Sequence, residues 1–414
     1  MANKEVKKVV NCRICNSKDL IDVLDLGKQP IPNGFLSEKD LKKKEKRYPL
    51  AVVFCKNCSL MQLKYLINPE VMFKNYLYIP SASKTRVEYF KKMAEQVIEV
   101  GKLKEGDLVV DVGSNDGSLL ICFRNLGMKI LGIDPAENLA TVAALNGVYT
   151  EVGYFDSQFA KKVVKKYRNA KAITATNVIA HIQNLHEVLK GGDILLDDKG
   201  IFVMHFPYSM DLIRDNLFDT IYHEHLSYFS IKSLLKLAEE SNLEIFDIKK
   251  SDLDGGSLRV FWKKKTYKGL KVNTKEIEKL LKEEERFGLH TTRAYKEFAE
   301  RVKRLKEDSL RELKKIKAKN KSIVGYGAAA KANVLLNYVG IDNKLVDYVV
   351  DSTPYKQGLF APGSHIPIFP EDKIYETNPD YVLIFAWNFS KEIMGKNKGY
   401  KGKFIVLVPN FKIL

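Results

Sequence analysis

Cysteine placement constrains the fold of the first part of this 414-residue chain more than any other feature. Four of the five cysteines form two Cys-x-x-Cys pairs on either side of residues 16–54. Two thiolates three positions apart on a tight turn can face one ion, and two such turns supply the four ligands of a structural Zn²⁺ site. The alternative is two unrelated redox-active or buried cysteine pairs. We predict a structural Zn²⁺ site in an N-terminal lobe, with these ligands: Cys12, Cys15, Cys55 and Cys58.

Composition excludes several classes of protein. A hydrophobic content of 45% and a charged content of 29% are typical of a globular chain. We see no apolar run near the roughly 18 residues of a membrane span and no apolar signal core at the N-terminus, so we expect a cytoplasmic location and no membrane partner. The net charge of +17 raises the question of nucleic acid. However, the lysines are interleaved with glutamates, and the basic runs lack base-stacking aromatics. We expect no nucleic-acid partner, and a surface suited to nucleotide diphosphates.

Strand and helix patterns alternate from about residue 82, which predicts an α/β fold with a parallel, doubly wound sheet. An antiparallel pair, 243–250 and 257–263, would close this sheet. Residues 274–319 contain no proline and predict one or two long helices, after which a third, smaller α/β unit follows. The predicted strands are 108–111, 129–134, 147–152, 172–177, 200–206, 348–351, 381–385 and 403–408. The predicted helices include 83–100, 118–126, 139–146 and 157–167. The predicted domains are 1–75, 76–268 and 269–414.

A glycine-containing loop follows the first strand of the central domain. The strand ends in Asp111, and the chain turns through Gly113 and Gly117 into a helix. Glycine lets the backbone approach a ligand, and a helix N-terminus offers free N–H groups. The pattern D-x-G-x-x-x-G differs from the dinucleotide fingerprint and resembles the S-adenosylmethionine (SAM) loop of class I methyltransferases. Asp134 ends the next strand, where an acid can bind ribose hydroxyls. We predict a class I methyltransferase (Rossmann-like) domain with these SAM-binding residues: Asp111, Gly113, Asn115, Asp116, Gly117, Asp134 and Asn177.

Residues 219–230 concentrate groups that can hold a proton. His223 and His225 are two positions apart, so they do not form the i, i+4 pair of a zinc protease. In extended backbone they would share a face, with Tyr222 and Glu224 on the other. A neutral histidine is a competent base at neutral pH, although a hydrogen-bonded loop is the simpler interpretation. His181 follows the fourth strand, at the edge where ligands of such sheets bind.

A second glycine turn opens the third domain. Gly325 and Gly327 lie between a strand and a helix, a geometry that favours phosphate, and two lysines nearby add positive charge. The alternative is an ordinary tight turn in a Rossmann-like domain.

Together these motifs resemble the sugar C-methyltransferases of deoxysugar biosynthesis, over nearly the whole length. The most specific blocks are the Tyr-His-Glu-His segment and the C-terminal Lys356-Gln-Gly and Pro362-Gly-Ser-His365. The family methylates a carbon next to the C4 ketone of a nucleotide-linked (TDP) 4-keto-6-deoxysugar. The resemblance implies a zinc lobe, a SAM domain and a C-terminal domain, smaller, α/β and Rossmann-like, that binds the nucleotide sugar.

The resemblance also implies roles for individual residues. His225 would be the base, and three other side chains would line the sugar site: Tyr222, Glu224 and His181. Tyr76 would be the tyrosine of the linker that lies near the methyl group and the sugar. The substrate-binding set would be Lys331, Lys356 and His365. Position 205 departs from the family, in which an acid is often found, so the role of His205 and the identity of the sugar and nucleotide stay open, as do the methylated carbon (C3 or C5) and the oligomeric state.

The chemistry is consistent with this interpretation, because removal of a proton next to a ketone gives an enolate, a carbon nucleophile for the sulfonium methyl group. Two alternatives are an O- or N-methyltransferase of a sugar or other small molecule and, more remotely, a zinc-containing nucleic-acid-binding protein.

Overall fold

The computed structural model of the chain describes residues 5–73 and 79–414, and within these ranges the strands form four sheets. The strands are β1 Val6–Lys8, β2 Leu20–Gln29, β3 Tyr48–Cys55, β4 Met61–Leu63, β5 Tyr65–Ile67, β6 Leu108–Val112, β7 Lys129–Asp134, β8 Thr150–Val152, β9 Ala170–Thr176, β10 Leu196–Pro207, β11 Ser227–Tyr228, β12 Leu243–Ser251, β13 Ser257–Lys264, β14 Ile323–Tyr326, β15 Val349–Val350, β16 Ile368–Phe369, β17 Tyr381–Ile384, β18 Lys403–Val406 and β19 Lys412–Ile413.

The helices of the same ranges connect and cover these strands. They are α1 Pro69–Phe73, α2 Lys84–Gly101, α3 Ser118–Asn125, α4 Glu137–Leu145, α5 Ser157–Tyr167, α6 Leu185–Leu195, α7 Ser209–Arg214, α8 Ile231–Glu239, α9 Thr274–Phe287, α10 Thr292–Lys317, α11 Ala330–Val339, α12 Lys373–Thr377 and α13 Ser390–Lys396.

The central sheet has the predicted doubly wound form. Its order is β12-β13-β10-β9-β6-β7-β8, and β13 is antiparallel to both of its neighbours while the remaining pairs are parallel. Strands covered on both faces are nearly continuous apolar runs, as in the Leu-Val-Val-Asp-Val of β6. Val109 packs with α2 and α3 on one face, whereas Val110 belongs to the core that includes α5 and α6 on the other. The prediction of an α/β fold with a doubly wound, mostly parallel sheet is therefore confirmed.

The six-stranded sheet of the C-terminal domain, called the third sheet below, is parallel apart from its last strand. Its order is β16-β15-β14-β17-β18-β19, with β18 and β19 antiparallel. The predicted helical stretch is two consecutive helices, α9 and α10, which are separated at Gly288 because this residue adopts a positive φ of +80° at the C-cap. No helix within residues 5–73 and 79–414 is long and apolar enough to cross a membrane.

The N-terminal lobe shares its core with the rest of the molecule. The antiparallel strands β2, β3 and β4 form its sheet, and β11 from the central domain adds the edge strand beside β4. Phe54 of β3 stacks on Tyr295 of α10 with ring centroids 4.1 Å apart. One continuous apolar cluster accordingly includes residues of the lobe, the central sheet and the third sheet.

The segment that carries Tyr222 and His225 differs from its prediction. It is a tight turn, not an extended strand, because the His225 N–H donates to the Tyr222 carbonyl at 2.9 Å. The turn places Tyr222 against His225 and directs His223 the other way, toward the Tyr48 carbonyl. The predicted strand 147–152 is also shorter and spans Thr150–Val152.

Candidate active site

A cavity of about 1170 Å³ lies where the three parts of the chain meet. The carboxyl ends of the parallel strands open into it, as expected for a doubly wound sheet. Its walls contain most of the predicted site residues: Asp111, Gly113, Asn115, Asp116, Asp134, Asn177, His181, Tyr222, His225, Lys331 and Lys356. Gly117, Glu224 and His365 do not line it, and Tyr76 lies outside the described residues.

The first glycine loop forms a close-fitting cradle at one end of the cavity. Gly113 has φ +73°, and a Cβ there would lie 2.6 Å from Cγ2 of Val178. Gly117 has φ +80°, and a Cβ there would lie 2.7 Å from Cγ2 of Val148, so this glycine serves packing at the start of α3. Asp116 caps α3 by accepting from the backbone N–H and hydroxyl of Ser118, at 3.1 and 2.6 Å.

Two buried carboxylates lie behind this loop. Burial raises the pKa of Asp111 to about 7, although its Oδ1 accepts a hydrogen bond from the Thr174 hydroxyl at 2.6 Å. Asp134 accepts from the N–H groups of Asn115 and Ala136, both at 2.9 Å, and burial raises its pKa as well. Each oxygen of Asp134 keeps a second lone pair. The loop and Asp134 therefore fit a ligand with a ribose.

An aromatic cluster occupies the middle of the cavity. The ring centroid of His225 lies 3.9 Å from that of Tyr222 and 5.0 Å from that of His181. The Nδ1–H of His225 donates to the Thr220 carbonyl at 2.8 Å, which fixes the tautomer and leaves the lone pair on Nε2. Burial, followed by the neighbouring His181, holds the pKa of His225 well below 6.5. Burial also lowers the pKa of His181 to about 4. Both rings are therefore neutral at pH 7.

Glu224, which was expected to line the sugar site, has a different environment. It is 1% exposed, and its Oε1 accepts from Nδ2 of Asn33 in the N-terminal lobe at 2.6 Å. Asn33 itself lines the cavity. The structure thus places Glu224 one contact away from the cavity, behind Asn33.

The pattern of the sequence did not identify Arg86 and Asp254, which form a buried ion pair in the cavity wall. Asn177, the predicted SAM residue, donates from Nδ2 to Oδ2 of Asp254 at 3.0 Å. Asp254 was interpreted only as part of the hairpin turn between β12 and β13. Asp254 adopts a positive φ of +58°, which aspartate and asparagine tolerate more readily than most residues, so its type suits the turn, but the sequence carried no signal that the turn reaches the cavity.

The second glycine turn repeats the hydrogen-bond pattern of the first. Asp351, just after β15, accepts from the N–H groups of Ala328 and Thr353 at 2.7 and 2.8 Å, as Asp134 does in the central domain. Nζ of Lys331 is buried, has no hydrogen-bond partner among the described residues, and lies 5.2 Å from the ring centroid of Trp387. Nζ of Lys356 donates to the Ala328 carbonyl at 2.9 Å and lies 3.6 Å from Asp351.

His365 lies outside the cavity. Its Nε2 is 3.4 Å from Oε2 of Glu45, and the N–H of Gly363 donates to Oε1 of the same glutamate at 2.9 Å. These contacts join the C-terminal domain to the segment of the N-terminal lobe between the two cysteine pairs, residues 16–54. His205, which lies in β10, is fully buried and contacts the hydroxyl of Tyr89 through Nδ1 at 3.2 Å.

The four predicted metal ligands converge. Their Sγ atoms all lie within 4.8 Å of one another, with 3.4 Å between Cys12 and Cys58 and 3.5 Å between Cys15 and Cys55. Tetrahedral thiolates about 2.3 Å from Zn²⁺ would be about 3.8 Å apart. The cluster therefore fits Zn²⁺ with no open coordination position, which is typical of a structural site.

Comparison with known proteins gives matches to all three parts. Three family models match: a zinc binding domain over residues 12–73, a methyltransferase domain over 85–248 and a C-methyltransferase C-terminal domain over 252–409. C-methyltransferase NovU of Streptomyces niveus is 35% identical over 412 residues, which cover 99% of this chain and 98% of the relative. These matches confirm the predicted zinc-binding lobe and SAM-dependent methyltransferase.

Two solved structures with lower similarity also match. An S-adenosylmethionine-dependent methyltransferase from Clostridium acetobutylicum has a TM-score of 0.35 at 13% identity, with 43% of this chain and 91% of that chain covered. Magnesium protoporphyrin IX methyltransferase of Synechocystis with bound SAH has a TM-score of 0.34 at 13% identity, with 42% and 82% covered.

Proposed function

The chain belongs to the C-methyltransferase family, and from this premise we propose that it methylates the carbon next to the C4 ketone of a nucleotide-linked 4-keto-6-deoxysugar. In this proposal residues 1–75 form the zinc domain, 76–268 the SAM domain and 269–414 the domain that holds the nucleotide. The single observation that carries the proposal is the shared cavity, which joins the SAM loop, the His225 cluster and the second glycine turn.

The SAM end of the cavity is formed by the first glycine loop. Gly113 and Asn115 would approach the ligand through their backbone, and Asp134 would bind the ribose hydroxyls with its remaining lone pairs. When bound, SAM supplies a methyl group on a sulfonium, the electrophile for a carbon nucleophile.

His225 is the proposed base. Its Nδ1–H is held by the Thr220 carbonyl, so Nε2 would take the proton from the carbon next to the ketone and leave the bonding electrons on the resulting enolate. Burial keeps the imidazole neutral and therefore ready to accept a proton at pH 7. The Thr220 carbonyl, which accepts from Nδ1–H, acts to raise the pKa of His225 and so favours the imidazolium that this step forms, whereas Lys331 acts to lower the pKa and outweighs the opposite effect of Asp254.

The enolate oxygen needs a hydrogen-bond donor. Tyr222 and His181 flank the ring of His225 on the cavity wall, and we propose that one of them donates to this oxygen. Because both rings lie beside the base, a single sugar ring could contact the proton acceptor and the hydrogen-bond donor at the same time.

The nucleotide diphosphate would lie toward the third domain. The second glycine turn leads into the N-terminus of α11, and the buried ammonium of Lys331 lies in the first turn of this helix. The Asp351 carboxylate is fixed in the same way as Asp134, which suits a second ribose. Lys356 already donates to the Ala328 carbonyl and lies within ion-pair distance of Asp351, so it would act mainly by shaping this turn.

The test is to incubate the purified protein with methyl-labelled SAM and a TDP-4-keto-6-deoxyhexose in deuterated water, then analyse the sugar nucleotide by mass spectrometry and NMR. A new methyl group on the carbon beside the ketone supports the proposal and locates the carbon. Deuterium at that carbon without methylation supports the base and indicates a different natural sugar. Absence of both, with SAM bound, counts against this substrate class.

A further inference from the structure

The arginine inside the first zinc knuckle extends into the central domain. Arg13 lies between Cys12 and Ile14, and its Nη2 donates to the carbonyls of Ile182 and Gln183, both at 2.6 Å. Its Nη1 lies 3.2 Å from Oγ of Ser227 and can donate to it. One guanidinium therefore joins the metal lobe to two separate segments of the methyltransferase domain.

Those two segments carry the facing histidines of the cavity. Ile182 directly follows His181, and Ser227 lies two positions after His225. A backbone hydrogen bond from the N–H of Leu226 to the Ala180 carbonyl, at 2.8 Å, links the same segments. Arg13 thus acts across the junction that sets the 5.0 Å separation of the two rings.

The knuckle side of this contact is also fixed. The N–H of Arg13 donates to Oε1 of Gln62 at 2.9 Å, and Nε2 of the fully buried Gln62 donates to the Asn11 carbonyl at 3.1 Å. The Ile14 carbonyl accepts from Nε2 of His186 in α6 at 2.8 Å. The backbone around Arg13 is therefore constrained by these hydrogen bonds and, because the neighbouring cysteines fit a metal ion, by metal coordination as well.

The chemistry favours arginine at this position. A planar guanidinium can donate to two carbonyls and a hydroxyl together, whereas a lysine ammonium is a compact point charge on a flexible stem. Hydrogen bonds from a charged donor are stronger than neutral ones, and their removal would leave two backbone carbonyls without this partner.

We propose that Arg13 is a positioning residue for catalysis, which holds the 179–183 turn against the loop of His225. The proposal rests on the proposed function, because it assumes that His225 is the base. It assigns the zinc lobe a role in aligning the catalytic histidines in addition to its contribution to folding.

The test compares Arg13→Ala with a matched control in the second knuckle, Lys56→Ala. Lys56 also follows the first cysteine of its pair, but it is exposed and forms a surface ion pair with Asp19 at 3.3 Å. Zinc content, SAM affinity, methyl transfer and deuterium exchange at the substrate carbon are measured. Misplacement of catalytic groups by about 1 Å can cost roughly 100-fold. Arg13→Ala should therefore lower kcat and exchange together by 10- to 100-fold, with KM, zinc content and SAM affinity within about threefold of the wild type.

Two further readouts separate positioning from a general structural role. Millimolar guanidinium should restore part of the exchange rate of Arg13→Ala and should not change that of Lys56→Ala. In protein labelled with ¹⁵N-histidine, the ring signals of His181 and His225 should shift in Arg13→Ala more than that of His290.

The histidine spectra need no substrate, so they decide the role of Arg13 even if the wild-type protein catalyses no exchange, a result that would count only against the proposed function. Unchanged histidine signals, or loss of zinc in parallel with activity, would overturn the positioning role.

Discussion

Arg86 and Asp254 form a bidentate ion pair in the wall of the cavity, with 2.8 Å between Nη2 and Oδ1 and 3.2 Å between Nη1 and Oδ2. Their side chains are 8% and 10% exposed. Burial acts to raise the pKa of Asp254, but Arg86 and Lys331 outweigh it and hold the pKa well below the usual value. The carboxylate is therefore ionised at any pH at which the enzyme works, and it joins α2 to the hairpin of β12 and β13.

Removal of one partner should destabilise the protein, because a buried guanidinium would lose the two charged hydrogen bonds that it makes to Asp254. We expect Asp254→Asn to lower the free energy of unfolding by about 3 kcal/mol in denaturant titration. Asparagine tolerates the positive φ of this position, so backbone strain does not contribute. The double variant Arg86→Met with Asp254→Asn should recover part of the loss. A change below about 0.5 kcal/mol in Asp254→Asn would contradict the prediction.

Buried neutral histidines should make stability depend on pH below about 6.5. Burial lowers the pKa of His223 to about 4, despite its contact with the Tyr48 carbonyl at 3.3 Å. Because the folded pKa lies below the unfolded one, the unfolded state binds the proton first as the pH falls, and stability is lost. His223 alone should account for about 2 kcal/mol between pH 7.5 and 5. The free energy of unfolding, measured by denaturant titration at several pH values in this range, should depend less steeply on pH in His223→Gln than in the wild type. An equal dependence on pH in the two proteins would contradict the prediction.

Local patterns predicted the elements around the first glycine loop well, because these elements follow one another closely in the sequence. The bounds of β7 and α5 match the prediction, and Asp134 at the end of β7 accepts from the N–H of Asn115 in the loop. Asp254 could not be predicted in the same way. Its partner Arg86 is 168 positions away, and only the return of β13 beside β10 brings the hairpin turn to the cavity.

Glu224 shows a second limit of pattern reading. In extended backbone it would share a face with Tyr222, but the tight turn at 222–225 puts Tyr222 on the cavity wall and Glu224 against Asn33. The fold of the turn depends on β11, which leaves the central domain to pair with β4 of the zinc lobe. Such a pairing between distant segments has no signature within the segment itself.

The cradle at Gly113 should not accept a side chain. Gly113→Ala would place Cβ 2.6 Å from Val178, and we expect SAM affinity to fall at least tenfold by calorimetry. Gly106→Ala is the matched control, since Gly106 has a similar φ of +79° but nothing within 4 Å of the added Cβ. Both variants bear the conformational cost of alanine at positive φ. Equal SAM affinity in the two variants would contradict the cradle.

Loss of the proposed base should abolish chemistry without loss of the cofactor. We expect His225→Ala to reduce methyl transfer and deuterium exchange by roughly 10²- to 10⁴-fold while SAM still binds. His223→Gln, two positions away and outside the cavity, should retain activity within a few-fold. Because burial holds the pKa of His225 well below 6.5, protonation of this histidine should slow the wild-type enzyme only below pH 6. Full turnover in His225→Ala would remove this residue from the mechanism.

Removal of the metal should impair the chemistry of the His225 loop more than it impairs the binding of SAM. Cys58 is buried in the thiolate cluster, and the lobe that the cluster closes pairs through β4 with β11, which begins two residues after His225. A structural zinc site stabilises the fold around it, so we expect Cys58→Ser to lose its zinc, unfold at lower temperature and lose deuterium exchange. SAM affinity should change less than threefold, since the side chains nearest to Gly113 and Gly117 are Val178 and Val148 of the central domain and not residues of the metal lobe. Cys122→Ser is the control. Cys122 lies in α3 outside the thiolate cluster, so this variant should keep its zinc. Zinc content by atomic emission, paired with the exchange assay, checks the prediction, and a zinc-free Cys58→Ser that still exchanges at the wild-type rate would refute it.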